Sequence, residues 1–291
     1  MLILPGRVQA EWTVKGAGGK AMCGRYHITR PIEAVAEVFD ALIPDEVRQA
    51  LDTGAGAAEA TATTAFGPRY NIAPTQMVPI IRLETEGPQR GQRIVDFAHW
   101  GLVPAWAKDM SRAANAINAR SETVAEKPSF RSAFRHRRCL MPTSGFFEWQ
   151  TLNPGSTRAV KQPHRIYFRD ERLMVMAGLF EVWQAPDGSA LGSCAMLTTS
   201  ASASMDGLHA RMPVVLDSED EWDAWLAPGA ESDLLHSLIR PFDSPDFVHH
   251  PVDRAVGQVR NQGPGLLHAI DEGAAPSLQE PAAKPAQGSL F

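Results

Sequence analysis

The sequence predicts an α+β fold, mainly antiparallel β with a few helices. Three observations predict it: short apolar runs bounded by turn residues recur along the chain, helical periodicity is confined to brief segments, and no internal repeat is present. "PIEAVAEVFDAL" (31–42) places apolar residues at helical spacing and predicts a helix. "MVPIIRLE" (77–84) and "RIVDFAHWGLV" (93–103) predict strands. "SETVAEKPSFRSAFRHR" (121–137) predicts a partial helix with a break at Pro128. Strand-like runs follow at "CLMPTSGFFEWQ" (139–150), "HRIYFRD" (164–170), "LMVMAGLFEVW" (173–183) and "SCAMLTTSA" (193–201). "DSEDEWDAWL" (217–226) opens a helix on an Asp cap, and "FVHHPVDRAVG" (247–257) gives one more strand and turn. Residues 1–21 are Gly-rich and aperiodic and read as a tail. "LDTGAGAAEATATTAFG" (51–67) reads as a surface loop, and the Ala/Pro/Gln-rich stretch 265–291 as a disordered tail.

At 291 residues, 44% hydrophobic and 21% charged, the chain can build a core of normal size. No apolar run reaches the roughly eighteen residues a membrane helix needs. The opening "MLILPGRV" lacks the length and charged start of a secretory signal, so the cytoplasm is the expected compartment. Cys23, Cys139 and Cys194 form no C-x-x-C pair, which argues against a disulfide framework and a zinc site. No metal or organic cofactor is implied. A net charge of −5 excludes coating of nucleic acid by bulk electrostatics. Residues 111–140 nevertheless carry seven basic side chains against two acidic ones. That stretch is either a solvated helix face or a local basic path.

Five stretches could carry chemistry. "AMCGRYHITR" (21–30) places Cys23 directly after Met22. A chain beginning at Cys23 would present a thiol and a free α-amine on adjacent carbons, and such an amine titrates near 8. A 1,2-aminothiol meeting an aldehyde forms an imine that the thiol closes to a thiazolidine. The bland alternative is a small buried cysteine. "NARSET" (118–123) puts Asn118, Arg120 and Glu122 on one face if the segment is extended. "GFFEWQ" (145–150) crowds Glu148 with Phe146, Phe147 and Trp149, a setting that raises a carboxyl pKa and suits acid/base work. "LHARMP" (208–213) offers His209 and Arg211. "HWGLVPAWA" (99–107) holds Trp100 and Trp106, which are core residues or stacking platforms for bases.

"MCGRY", "RYNIAPT" (69–75), "WGLVPAWA", "NARSET", "GFFEW", "HARMP" and "HPVDRAVGQVRNQG" (250–263) occur in that order. Together they resemble the SOS response-associated peptidase (SRAP) family of abasic-site processing proteins. The resemblance spans residues 22–264 and implies a single SRAP-type domain. It implies that Cys23 is the nucleophile, exposed by removal of the preceding methionine and linked covalently to abasic sites in single-stranded DNA. By the same resemblance Asn118 holds the amine and sugar, and Glu148 shuttles protons during ring opening and imine formation. His209 assists at the ring-opened sugar hydroxyl. Arg25, Arg120 and Arg211 contact phosphates, while Pro74, Trp100 and Trp106 line the groove. Weak lyase activity by β-elimination and peptidase-like self-processing are implied as well, and the basic stretch becomes part of a DNA path. The linkage would shield the lesion during replication and the DNA-damage response, with the protein a monomer at the nucleoid.

The sequence departs from the family pattern in the twenty-one residues before Met22. Either translation starts at Met22 or the extension is cleaved. The final "QGSLF" (287–291) resembles a bacterial sliding-clamp binding peptide through Gln287, Leu290 and Phe291. Two other readings stay open: a non-covalent single-strand binder using Trp100, Trp106 and the arginines, and a Cys/His/Glu peptidase acting on other proteins.

Overall fold

The computed structural model describes residues 23–53, 67–111, 113–155 and 159–270. In chain order these form β1 (Tyr26–Ile28), α1 (Ile32–Val38), α2 (Asp45–Thr53), β2 (Arg69–Ile72), β3 (Met77–Leu83), β4 (Arg93–Trp100) and β5 (Asn118–Arg120). Then come α3 (Arg131–His136), β6 (Arg138–Thr143), β7 (Gly145–Leu152), β8 (Val160–Phe168), β9 (Met174–Gln184) and β10 (Ala190–Ser200). The last elements are β11 (Arg211–Pro213), α4 (Glu219–Leu226), α5 (Ser232–Leu238) and β12 (Phe247–Pro251). The α+β, mainly antiparallel expectation holds.

One sheet runs β12-β8-β7-β1-β2. In the other, β10, β4, β3, β6 and β9 follow one another, and β9 pairs back onto β10, closing a barrel. Closure follows from β10 using both edges: Ser193 and Cys194 pair in parallel with His99 and Trp100, while residues 190–196 pair antiparallel with β9. Every residue of β4 is buried, as an interior strand with both faces covered requires.

The run at 139–150, read as one strand, is two. The chain leaves the barrel after β6 and enters the other sheet as β7, turning at Gly145 with φ +152°. A Cβ there would lie 2.6 Å from the Ile166 carbonyl oxygen and 2.7 Å from His27 Nε2, so only glycine fits. The strand expected over 93–103 stops at Trp100, because Gly101 (φ +141°) brings its Cα against the Ala113 carbonyl. The helix at 217–226 begins on Ser218, whose Oγ accepts from the Glu221 N–H at 3.2 Å. Asp217, the expected cap, instead receives Glu221 on its own backbone N–H at 2.9 Å. Helix is found at 131–136 after the Pro128 break, and α2 and α5 have no counterpart in the sequence reading.

The basic stretch at 111–140 is partly structural. Arg138 is buried and donates to the carbonyls of Phe134, Arg135, Trp225 and Ala227, satisfying the C-terminal ends of α3 and α4. Arg137 pairs with Glu181 at 2.6 Å. Those two arginines are therefore unavailable to a DNA path. Past 264, Leu266 is buried beside Phe147, Val252 and Val256. Among the described residues no helix is long and apolar enough to cross a membrane. The expected N-terminal tail, most of the loop at 51–67 and most of the C-terminal tail lie outside the described residues.

Candidate active site

The antiparallel register of β1 on β7 builds the centre of the site. Tyr26 pairs with Phe146, and the Phe147 N–H donates to the Arg25 carbonyl at 2.9 Å. Continuing that register outward sets Glu148 beside the segment leading into β1. There the Cys23 backbone N–H donates to Glu148 Oε1 at 2.6 Å. Cys23 is 2% exposed and Glu148 3%. Cys23 also has φ +45°, the left-handed region that costs a non-glycine residue about 1–2 kcal/mol.

Burial pushes the Glu148 carboxyl above the usual carboxylate range, while His209 and the hydrogen bonds from Cys23 pull it back. Burial likewise pushes the Cys23 thiol well up, the neighbouring Glu148 adds to that, and Arg211 opposes it. A thiol whose proton burial holds in place, beside a carboxyl raised above its usual range, suits proton exchange better than standing thiolate chemistry.

The other wall comes from β10. Asn118, half-buried at the start of β5, pairs in parallel with Met196, and exposed Arg120 pairs with Thr198. On its other edge β10 carries β11, with Ser200 opposite Arg211. His209 Nδ1 accepts the Arg211 N–H at 3.1 Å. In the neutral ring this leaves the proton on Nε2. Arg211 forks onto Glu122 at 2.7 and 3.1 Å and donates to the Thr198 carbonyl at 2.7 Å. The guanidinium holds the Glu122 carboxyl below the usual range.

Cys23, Glu148, His209 and Arg211 are thus gathered by hydrogen bonds and mutual charge, with Asn118 and Arg120 on β5, which pairs with one edge of β10. Two expected site residues are placed elsewhere. Trp100 is fully buried, donates its indole N–H to the Ile117 carbonyl at 3.0 Å and stands edge-on to Tyr26; with no exposed face it cannot stack on a base. Arg25 turns inward to Asn71 Oδ1 (2.8 Å) and the Val256 carbonyl (2.7 Å), over Trp149, so it braces the fold rather than facing solvent with its full fork. Trp106 is 67% exposed, and half-buried Pro74 lies in a turn tied to the end of β4 through Thr75 N–H and the Trp100 carbonyl. Sequence reasoning left Thr198 and the Glu122–Arg211 pairing unread. The alternation of Asn118, Arg120 and Glu122 was the available signal for Glu122. Among the described residues no group of His, Cys, Asp and Glu is arranged to hold a metal ion.

The family model "SOS response associated peptidase (SRAP)" matches residues 22–259. The chain belongs to this family. Abasic site processing protein YoqW of Bacillus subtilis (strain 168) is 34% identical over 249 residues, covering 85% of this chain and 100% of that one. Abasic site processing protein HMCES of Mus musculus is 33% identical over 239 residues, 71% of this chain and 66% of the relative. In fold, the SRAP chain is similar to a crystal structure of a Bacteroides thetaiotaomicron protein with TM-score 0.70 at 23% identity, covering 85% of this chain and all of the other. A Bordetella bronchiseptica structure gives TM-score 0.60 at 23% identity, over 79% of this chain and all of that one.

Proposed function

We propose that this SRAP protein processes abasic sites in single-stranded DNA by covalent capture through Cys23. Membership of the family and the names of its relatives support the substrate. One observation carries the chemistry: Glu148 Oε1 lies 2.6 Å from the Cys23 nitrogen. While Cys23 is in peptide linkage, that nitrogen is the leaving group of hydrolysis at Met22–Cys23. A carboxyl whose burial keeps it protonated to higher pH can donate the proton it needs. The left-handed φ of Cys23 places strain in the backbone next to that bond.

Once the α-amine is free, the same carboxylate accepts its proton. The amine attacks C1 of the ring-opened sugar, water leaves to give the imine, and the thiol adds to the imine carbon. One C–N and one C–S bond form and one water is lost. His209, with its Nε2 proton, donates to the sugar oxygen, and Asn118 orients the sugar. Exposed Arg120 and Trp106 engage the flanking backbone and a base. Proton abstraction at C2 of the imine would give slow β-elimination. Hydrolysis of the Met22–Cys23 bond supplies the free amine, whether translation starts at Met22, where the family match begins, or the extension is removed with Met22. Intact-mass analysis of natively expressed protein tests this, and a mature chain still carrying residues 1–22 overturns it.

The decisive experiment mixes protein expressed from Met22 with abasic single-stranded oligonucleotide and then denatures it. A shifted band absent in Cys23→Ala is the expected result. Binding without any denaturation-resistant band would favour the non-covalent reading, which the exposure of Trp106 supports. We further propose that "QGSLF", outside the described residues, docks on a replication sliding clamp. Deleting 287–291 should abolish clamp binding, and unchanged binding removes the idea.

A further inference from the structure

Arg211 was expected to grip phosphate, yet its outward edge is taken. Nη1 and Nη2 meet the two oxygens of Glu122, Nη2 also reaches the Thr198 carbonyl, and Nε is buried without a partner. The Arg211 side chain is 13% exposed and that of Glu122 53%, so Glu122 covers the edge that faces solvent. A carboxylate and a phosphate use the same two-oxygen grip on a guanidinium. We propose that Glu122 is a built-in competitor for DNA phosphate at Arg211, which a backbone phosphate must displace to bind.

The exchange needs little of the fold. The chain at Glu122 is pinned by the Ser121 N–H on the Thr198 carbonyl at 2.9 Å, and the same carbonyl holds Arg211. Glu122 can therefore swing away by side-chain rotation while both backbones stay in place. The exchange leaves no buried charge unpaired, because the phosphate takes the place of the carboxylate on the same two nitrogens. The pair thus restrains non-covalent binding to intact strands, leaving stable attachment to depend on capture at Cys23. This sharpens the specificity of the proposed reaction and rests on that reading.

The test measures fluorescence anisotropy of an intact single-stranded oligonucleotide, with no abasic site, in about 0.1 M salt. Glu122→Gln should tighten binding about three- to tenfold. Arg211→Gln should weaken it, and in the Arg211→Gln background Glu122→Gln should give no gain. Thermal melting of each variant verifies folding. Unchanged or weaker binding by Glu122→Gln overturns the proposal, as does an equal gain without Arg211. Wild-type protein that binds neither intact nor abasic strands would overturn the functional reading itself. Wild-type binding with no Glu122 effect overturns this inference alone.

Discussion

Glu148 and Asp96 are both buried carboxylates within strands, and burial raises both above their ordinary range. Their partners differ. Asp96, in the barrel wall, bonds Arg82 Nε at 2.8 Å and the Phe97 N–H at 2.8 Å, and Arg82 lies over the Phe180 ring with Glu84 at 3.5 Å. It has a permanent cation sealed in beside it. Glu148 has the Cys23 nitrogen, whose charge changes with the covalent state of the chain, and the His209 ring nearby. The first arrangement fixes a charge; the second leaves a proton free to move. A buried carboxylate therefore signals chemistry only when its partner can itself change state.

The largest effect that would break this comparison is in rate. Glu148→Gln keeps an acceptor for the Cys23 N–H but cannot carry a proton. Single-turnover crosslinking should slow by about 10²- to 10⁴-fold. A loss below about fivefold would place proton transfer elsewhere. Arg82→Ala should act on stability instead, by roughly 3–5 kcal/mol, because it strands Asp96 in the barrel without a cation. Urea unfolding measures it, and residual folded protein should crosslink at the wild-type rate.

The two tryptophans of "HWGLVPAWA" divide in the same way. Trp100→Ala should cost about 3–5 kcal/mol of stability. Trp106→Ala, at an exposed site, should stay within about 0.5 kcal/mol in stability and weaken single-strand binding by about 1–3 kcal/mol. Equal melting losses for both would refute the division.

These contrasts mark what the sequence carried and what it did not. Antiparallel pairing was legible because apolar runs and turn residues are local signals. Barrel closure was not, since it depends on which strands take the two edges of β10, tens of residues apart in sequence. The break between β6 and β7 falls at Thr143, Ser144 and Gly145, turn residues inside a run read as one strand. Helices α2 and α5, nine and seven residues long, went unread, since neither carries as regular an apolar spacing as 31–42. At the site, Cys23 and Glu148 were legible from Met-Cys and from the aromatic crowding of "GFFEW". Trp100 is fully buried where an exposed stacking face was expected, because residue type says nothing of exposure. Trp106 lies past the turn at Gly101 and is exposed, and the Val256 carbonyl, Asn71 and the Trp149 ring hold Arg25.

The smallest predicted effect is a pH dependence, and it separates the two carboxylates by sign. Glu148 titrates higher in the folded chain than in the unfolded one, which sits near 4.3. Between those values the native state binds more protons than the unfolded state. Its stability therefore falls as pH rises through the elevated Glu148 range, and the loss persists above it. Glutamine carries no such cost. The stability of Glu148→Gln relative to wild type should rise in favour of the variant as pH climbs through the Glu148 titration and level off above it. Asp96→Asn should show no gain at any pH, because it leaves the buried Arg82 without its counter-ion. Chemical denaturation from pH 4 to 8 gives both curves. A flat difference for Glu148→Gln would mean that the carboxylate is as comfortable folded as unfolded, and a stabilised Asp96→Asn would mean that the barrel pair is no more fixed than the one at Cys23.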